Sequence, residues 1–277
     1  MNHQEKNILD DLFPSQPHPA SANDLPRVLA IANQKGGVGK TTTTVNLAAC
    51  VAELGYRVLV VDFDPQANAT SALGIDPRSV EISMYDVILN DTDMDSCILK
   101  TEWDLLSVAP SNLDLAGAEI ELVSAFNRER LLDVAISSVI SQYDFVFVDC
   151  PPSIGLLTVN ALTAASEVLV PIQCEYLALE GLGQLLSNVE RVKNHLNKEL
   201  HISTIALVMY DARTKLAGQV VEEIRSHFGE RVCQQTVPRS VRLSEAPSYG
   251  QPIIYYDSTS RGAIAYRALA KEITGGS

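Results

Sequence analysis

The chain has 277 residues, of which 46% are hydrophobic and 20% are charged, and its formal net charge is −13. This composition is ordinary for a soluble globular protein, and the acidic total taken alone argues against a nucleic-acid partner. No apolar run is long enough to cross a bilayer and the first 26 residues lack the apolar stretch of a signal peptide, so we expect a cytoplasmic protein.

Charges and cysteines are unevenly placed along the chain. Residues 190–277 carry 12 basic and 9 acidic side chains, so this third is slightly positive and leaves room for a local basic surface. Five dispersed cysteines without a C-x-x-C spacing favour free thiols in a reducing compartment over disulfides or a zinc site.

The N-terminal segment differs in composition from the rest of the chain. Residues 1–26 hold four prolines among polar and acidic residues, which predicts a flexible tail with a short helix at residues 8–13. We expect residues 27–277 to form a single domain.

From residue 27 onward, short apolar runs alternate with amphipathic stretches. Strands are predicted at residues 28–32, 57–62, 105–108, 145–149, 168–172 and 202–210. Helices are predicted at residues 41–54, 83–89, 113–123, 128–142, 156–165, 177–196, 215–228 and 261–273. Strands that are apolar throughout are buried on both faces, so the pattern predicts an α/β fold with a doubly wound, mostly parallel sheet flanked by helices.

The link between the first strand and the first helix is a phosphate-binding loop of the P-loop NTPase type. Its glycines let successive backbone N–H groups point at phosphate oxygens, and the helix that follows adds its positive end. The predicted cradle consists of Gly36, Gly37, Val38 and Gly39. This strand–loop–helix context predicts binding of ATP with Mg²⁺.

The residues that close the loop have distinct expected contacts. Lys40 would contact the β- and γ-phosphates, Thr41 would hold Mg²⁺ through its hydroxyl, and Thr42 would lie near the α-phosphate. The motif departs from the standard form because Gln34 replaces a glycine and a second lysine, Lys35, follows it. We expect Lys35 to have difficulty folding back onto its own nucleotide, and it could point outward to the nucleotide of another subunit.

Two later strands end in carboxylates. Asp149 has the form of a Walker B acid that would hold Mg²⁺, usually through water. Asp62 could assist the metal shell, and Asp64 is better placed to orient or activate the attacking water. The alternative for each of these acids is a structural role as a helix cap or a turn residue.

These motifs resemble those of the ParA/MinD group of deviant Walker A ATPases. The resemblance rests on KGGVGKT, DFDPQAN and FVFVDCPP, and segments 173–181, 210–214 and 238–247 are similar to the chromosomal ParA (Soj) branch. It covers about residues 27–273, which is nearly the whole chain.

The resemblance implies an ATP-bound, face-to-face homodimer in which Lys35 reaches into the partner's site. It implies that Lys35, Lys40 and Asp64 take part in hydrolysis, and that Pro238 and Ser240 lie near the adenine.

It further implies that the dimer binds double-stranded DNA without sequence preference and dissociates from the DNA after ATP hydrolysis. Arg213 and Arg242 match positions that the family uses for DNA, and Arg239 lies nearby. A ParB-type centromere-binding partner would stimulate hydrolysis, and the cycle would segregate a chromosome or a plasmid on the nucleoid. Without the resemblance, the sequence favours the interpretation that these arginines are ordinary surface or ion-pair residues.

Other members of the same superfamily offer alternative functions. A membrane-bound regulator of the MinD kind needs a basic amphipathic C-terminal helix, whereas residues 266–277 carry mixed charge and end in small polar residues. An electron-transfer ATPase needs paired cluster-binding cysteines in glycine-rich loops, a context that Cys97 and Cys150 lack. A tyrosine kinase of this superfamily needs a C-terminal tyrosine cluster, whereas Tyr255 and Tyr256 are only a pair that further residues follow. The same switch could also position protein clusters, which the sequence separates poorly from DNA segregation.

Overall fold

The structure is a computed structural model that describes residues 25–175 and 178–275. The predicted tail and its helix at residues 8–13 lie outside the described residues. Eight strands in this part of the chain form one sheet in the order β3-β4-β2-β5-β1-β6-β7-β8. The strands are β1 (Arg27–Ile31), β2 (Val58–Asp62), β3 (Leu99–Lys100), β4 (Leu106–Ala109), β5 (Phe145–Asp149), β6 (Glu167–Gln173), β7 (His201–Tyr210) and β8 (Val232–Pro238).

Helices connect the strands and cover both faces of the sheet. They are α1 (Lys40–Glu53), α2 (Asn68–Ala72), α3 (Met84–Leu89), α4 (Met94–Cys97), α5 (Leu115–Glu121), α6 (Leu131–Val139), α7 (Leu156–Ala164), α8 (Ala178–His195), α9 (Lys215–Phe228), α10 (Val241–Glu245), α11 (Ile253–Tyr256) and α12 (Arg261–Thr274). All neighbouring strands pair in parallel except β3 with β4. The predicted doubly wound, mostly parallel α/β fold is therefore confirmed.

The residues of the central strands alternate between two hydrophobic cores. Val28 and Ala30 belong to the core under α3 to α9, whereas Leu29 and Ile31 belong to the core under α1, α2 and α10 to α12. Because both faces are covered, the sequence of such a strand is apolar at almost every position between its ends. All five cysteines are free and buried, as their scattered positions predicted.

Several boundaries differ from the predictions. The helix predicted at residues 128–142 begins only at Leu131, because Asn127 adopts a positive φ of 54° and forms a turn with Arg130. Strand β8 was not predicted, since its sequence VCQQTVP has no apolar run; it lies at an edge of the sheet and is partly exposed. The two-residue strand β3 and the short helices α2, α4, α10 and α11 were also missed.

A buried ion pair ties the ends of β1, β6 and the last helix together. The guanidinium of Arg27 donates from Nε and Nη2 to Glu167 at 2.6 and 2.7 Å, and from Nη1 to the carbonyl of Ile273 at 2.6 Å. Helix α12 also buries Leu269 and Ile273, so this face of it belongs to the core. Among the described residues, no helix is both long and apolar enough to span a membrane.

Candidate functional site

The carboxyl ends of β1, β2 and β5 lie side by side at one edge of the sheet, because the three strands are parallel and β5 lies between the other two. Ligands of open parallel sheets bind beyond this edge. The loop after β1 enters α1 here, with Gly37 and Gly39 at positive φ angles of 74° and 82°. A side chain at either position would be strained, so both glycines are required by backbone conformation. A Cβ at Gly36 or Gly37 would meet no atom within 4 Å, so space is open around this part of the loop.

Lys40 lies buried within the loop that it closes. Its Nζ donates to the carbonyl of Lys35 over 3.4 Å. Burial lowers the pKa of Lys40, although the nearby Asp149 and Asp64 oppose this shift. A buried ammonium held by one long hydrogen bond favours an anionic ligand, because a phosphate would replace the lost hydration.

Asp149 is held by two hydroxyl groups of α1. Thr41 donates to Oδ2 at 2.7 Å and Thr44 donates to Oδ1 at 2.9 Å. Thr44 was not predicted as a site residue. It could have been predicted from the run of four threonines that begins at Thr41, since residues three apart in a helix lie on the same face and Thr44 therefore lies beside Thr41.

Asp62 lies directly opposite Asp149 in the parallel register of β2 and β5, and both side chains are fully buried. Oδ2 of Asp62 accepts the backbone N–H and the hydroxyl of Thr70, each at 2.7 Å, and Oδ1 accepts the N–H of Asp64 at 3.3 Å. Thr70 is held in turn by the N–H of Ser111 at 3.0 Å and was also missed by sequence reasoning.

The two acids influence each other electrostatically. Burial raises the pKa of both Asp62 and Asp149, and the negative charge of Asp62 raises that of Asp149 further. Asp149 accepts hydrogen bonds from two hydroxyl groups, which can rotate away, whereas two of the three donors to Asp62 are fixed backbone N–H groups, so Asp62 suits support of a metal shell better than direct ligation. The Thr41 hydroxyl and the Asp149 carboxylate fit Mg²⁺, which takes one or two carboxylates and completes its shell with water and phosphate oxygens. Among the described residues no cluster of three or more acidic, histidine or cysteine side chains could hold a metal alone.

Asp64 lies in the turn that follows β2 and is largely buried. Its Oδ1 accepts the N–H of Gln66 at 3.0 Å, and its carbonyl accepts the N–H of Ala67 at 2.9 Å. The structure therefore gives Asp64 the contacts of a turn residue, and its charge also acts on Lys40 and Asp149. Its position is compatible both with a turn residue and with a group that orients the attacking water.

Lys35 extends from the loop toward the end of β6. Its Nζ lies 3.6 Å from Oε2 of Glu175, and Arg239 lies 3.6 Å from the other oxygen of the same carboxylate. The backbone of Lys35 is fixed by Asn33, which accepts its N–H at 3.0 Å and donates to the carbonyl of Pro171 at 2.8 Å. In this structure the ammonium is paired on the surface with Glu175.

Pro238 and Ser240 line a small cavity next to the phosphate loop. They share it with Gly39 and Thr42 on one side and with Met209 and Tyr266 on the other. The structure thus brings the segment that the resemblance places near the adenine to the end of the predicted phosphate cradle.

Each of the three predicted DNA-binding arginines is exposed and paired with a carboxylate. Arg213 makes two contacts with Asp211, at 2.8 and 2.6 Å, and holds the pKa of that carboxyl down at about 2. Arg242 contacts Glu245 at 3.1 Å and Asp257 at 3.6 Å, while Arg239 contacts Glu175.

Comparisons with known proteins identify relatives of this chain. A family model described as an AAA domain matches residues 26–202. The chain is 55% identical over 247 residues to the sporulation initiation inhibitor protein Soj of Bacillus subtilis, covering 89% of this chain and 98% of that protein. It is 50% identical over 247 residues to the chromosome partitioning protein ParA of Myxococcus xanthus, covering 89% and 87%. The crystal structure titled cobyrinic acid a,c-diamide synthase from Mycobacterium smegmatis, with bound ADP and magnesium, superposes with a TM-score of 0.78 at 39% identity, covering 89% and 93%.

Proposed function

This chain belongs to the ParA/MinD family of ATPases, with the Soj and ParA chromosome-partitioning proteins among its relatives, and we propose that it is an ATP-driven switch that segregates DNA. ATP and Mg²⁺ are its cofactors. One observation carries the proposal: the loop lysine Lys40, the hydroxyl of Thr41 and the carboxylate of Asp149 converge at the end of β1.

The roles of the loop residues follow from their chemistry. The backbone amides from Gly36 to Gly39 and the ammonium of Lys40 would bind the phosphates. When bound, Mg²⁺ neutralises charge that develops on the phosphate oxygens. Thr41 and Asp149 would hold it, because the hydroxyl oxygen of Thr41 and Oδ2 of Asp149 lie 2.7 Å apart and both can ligate a metal ion. Thr42 would lie by the α-phosphate, with Pro238 and Ser240 near the base.

Asp64 is the proposed group that orients the attacking water. Its carboxylate follows β2 at the same edge of the sheet as Lys40, and the loop that carries it leads directly into α2. A carboxylate at this point can accept a hydrogen bond from water and so align it with the γ-phosphate.

Lys35 would change partners when two ATP-bound copies meet. Exposed ion pairs such as that between Lys35 and Glu175 contribute at most about 1 kcal/mol. A triphosphate of the second copy carries more negative charge than one carboxylate, so it can draw the ammonium across the interface. This exchange would make dimerisation depend on ATP, as a two-state switch requires.

DNA would bind the dimer through Arg213, Arg239 and Arg242, each present twice. The three arginines are exposed and their ion pairs lie at the surface, so phosphate groups can compete for the guanidinium groups. Contacts of this kind are independent of sequence and weaken as salt rises. The family resemblance further supports a ParB-type partner that stimulates hydrolysis and release, with the protein on the nucleoid.

A co-sedimentation experiment tests this function. Wild-type protein is mixed with DNA in the presence of ATP, ADP or no nucleotide, with and without a ParB-type protein. We expect DNA binding with ATP only. Lys40→Ala should lose nucleotide and DNA binding together, whereas Asp64→Ala should bind ATP and stay on DNA. Binding that is equal in all three nucleotide states would refute the switch, and an ATP-driven dimer without DNA affinity would favour the positioning of a protein cargo.

A further inference from the structure

A small apolar patch lies at the amino edge of the sheet, opposite the edge that holds the candidate site. Trp103 and Tyr255 stack there, with ring centroids 5.0 Å apart and ring planes at 13°. Leu54 follows the last residue of α1 and Leu105 precedes β4; they are 42% and 47% exposed, and Tyr255 is 42% exposed. The carbonyl of Leu105 accepts the N–H of Val58 at 2.8 Å, which places it beside the start of β2. We call Leu54, Trp103, Leu105 and Tyr255 the amino-edge patch.

Leu105 combines this exposure with an unusual backbone conformation. Its φ is 61°, in the left-handed region that bulky side chains rarely occupy. Such conformations cost energy and cluster at binding and switch regions. Large apolar side chains grouped at a surface also mark interaction sites. A strained leucine that is nearly half exposed, beside a stacked pair of aromatic rings, therefore favours a contact with a segment outside the described residues.

The N-terminal tail joins the fold at this same edge. The N–H of Arg27, the first residue of β1, donates to the carbonyl of Asp144 at 3.0 Å, and the N–H of Asp144 donates to the carbonyl of Arg57 at 2.8 Å. Arg57 directly precedes β2. Because β5 alone separates β1 from β2 and neighbouring strands lie ~4.8 Å apart, the tail joins the sheet only ~10 Å from the start of β2.

The sequence of the tail supplies an apolar segment at a suitable distance. The helix predicted at residues 8–13 has its apolar side chains at the spacing of one helix face: Ile8, Leu9, Leu12 and Phe13. Residues 14–24 link this segment to the described chain and can span ~36 Å when extended. The start of β4 lies three strand spacings from that of β1, or ~14 Å. The linker is therefore long enough for the segment to reach the amino-edge patch.

We propose that the amino-edge patch is the docking surface for residues 8–13 of the same chain. Four partly exposed side chains offer far less than the ~800 Å² per partner that a standard protein interface buries, so the patch is too small to hold a second copy by itself. A tethered segment needs less area, because its effective concentration at the surface is in the millimolar range. Its apolar face would shield Trp103 and Tyr255 from water.

Trp103 is the only tryptophan of the chain, so its fluorescence reports on the patch directly. Acrylamide quenching is compared between the full-length chain and Leu12→Glu. We expect Leu12→Glu to raise the quenching constant about twofold, because a carboxylate does not remain in an apolar contact and Trp103 returns to water. The control Ala22→Glu adds the same charge to the tail outside the segment and should quench like the wild type. Wild-type quenching in Leu12→Glu would overturn the inference.

Disulfide trapping tests the location of the segment. All five native cysteines are buried, so an added pair, Leu12→Cys with Leu54→Cys, reacts selectively under mild oxidation. We expect an internal cross-link within a monomer. The control pair, Leu12→Cys with Leu113→Cys, probes an exposed residue near the opposite edge and should cross-link at least about fivefold less, because a disulfide needs Cα atoms within ~7 Å. Equal cross-linking of both pairs, or cross-links between two chains, would show that the segment does not occupy its own patch.

Protein concentration separates the tail from a second copy as the occupant. Docking within one chain does not depend on concentration, so the quenching constant of the wild type should stay constant over a hundredfold dilution. A constant that rises on dilution would assign the patch to contact between copies and overturn the proposal.

Discussion

Replacing Asp149 with asparagine should stabilise the nucleotide-free protein and abolish its binding of Mg-ATP. The carboxylates of Asp149 and Asp62 are fully buried and opposite each other on neighbouring strands, and burial and mutual repulsion raise the pKa of Asp149. The ammonium of Lys40 attracts Asp149 and offsets part of this repulsion. Asp149→Asn removes one of the two negative charges and keeps the shape of the side chain.

The magnitude follows from the spacing of the strands. Neighbouring strands lie ~4.8 Å apart, and two charges at about 5 Å repel by about 3 kcal/mol at an effective dielectric constant of about 20. The lost attraction to Lys40 and a weaker hydrogen bond to Thr41 or Thr44 reduce this gain by about 1–2 kcal/mol. We expect a net gain of about 1–2 kcal/mol at pH 8, which corresponds to a rise in Tm of about 2–8 °C for a domain of this size.

The gain should depend on pH in a defined direction. A carboxyl whose folded-state pKa is raised contributes stability at low pH, and this stability is lost as the pH rises through the folded-state pKa. The wild-type protein without nucleotide should therefore lose stability between about pH 4 and pH 7, from the ordinary pKa of an aspartate up to the raised pKa values of about 6 for Asp62 and about 7 for Asp149. Asp149→Asn should flatten this dependence.

Thermal unfolding at pH 5 and pH 8, with and without Mg-ATP, measures these effects. The wild type should gain stability from the ligand, and Asp149→Asn should not. Asp144→Asn is the control at the opposite end of β5, where Arg57 lowers the pKa of Asp144, and it should slightly destabilise the protein at pH 8. A lower Tm for nucleotide-free Asp149→Asn at pH 8, or an equal effect at pH 5, would refute the reasoning.

Three other changes probe separate parts of the molecule. Thr44→Val removes a hydroxyl that holds Asp149 and should weaken Mg-dependent ATP binding by about five- to tenfold in a nucleotide titration; unchanged affinity would exclude Thr44 from the site. Glu167→Gln breaks the buried ion pair and should cost about 3–5 kcal/mol in urea unfolding, while Glu53→Gln at an exposed pair should cost less than about 1 kcal/mol; equal losses would contradict the role of burial. Arg242→Glu should weaken DNA binding and flatten its salt dependence with ATP binding unchanged, and an unaltered salt titration would count against a basic surface there.

Local sequence patterns predicted the phosphate loop and the central strands. The loop is encoded by the residues that form it, because Gly37 and Gly39 supply backbone angles that other residues resist, and Lys40 follows directly. The central strands are apolar at almost every position between their ends because both of their faces are covered. Strand β8 escaped prediction because an exposed edge imposes no such pattern, and its glutamines read as a loop.

The candidate site combines residues that local sequence patterns predicted with contacts that only the tertiary structure forms. Asp149 was predicted as a Walker B acid from its place after a buried strand, but its contact with Thr44 and its pairing with Asp62 arise from strand order, with β5 placed between β1 and β2. Likewise, Lys35 stood out as an extra lysine, whereas its ion pair with Glu175 depends on the neighbouring strand β6.

The sequence by itself determined where a triphosphate can be held, because that capacity depends on a few consecutive backbone amides and one ammonium group. The tertiary structure alone decided which distant groups surround it: the buried carboxylates of Asp62 and Asp149, and the contacts that Thr41, Thr44 and Thr70 make with them. These features depend on the order of strands in the sheet, which places β5 between β1 and β2. Such relations join residues far apart in the chain, so no local pattern contains them.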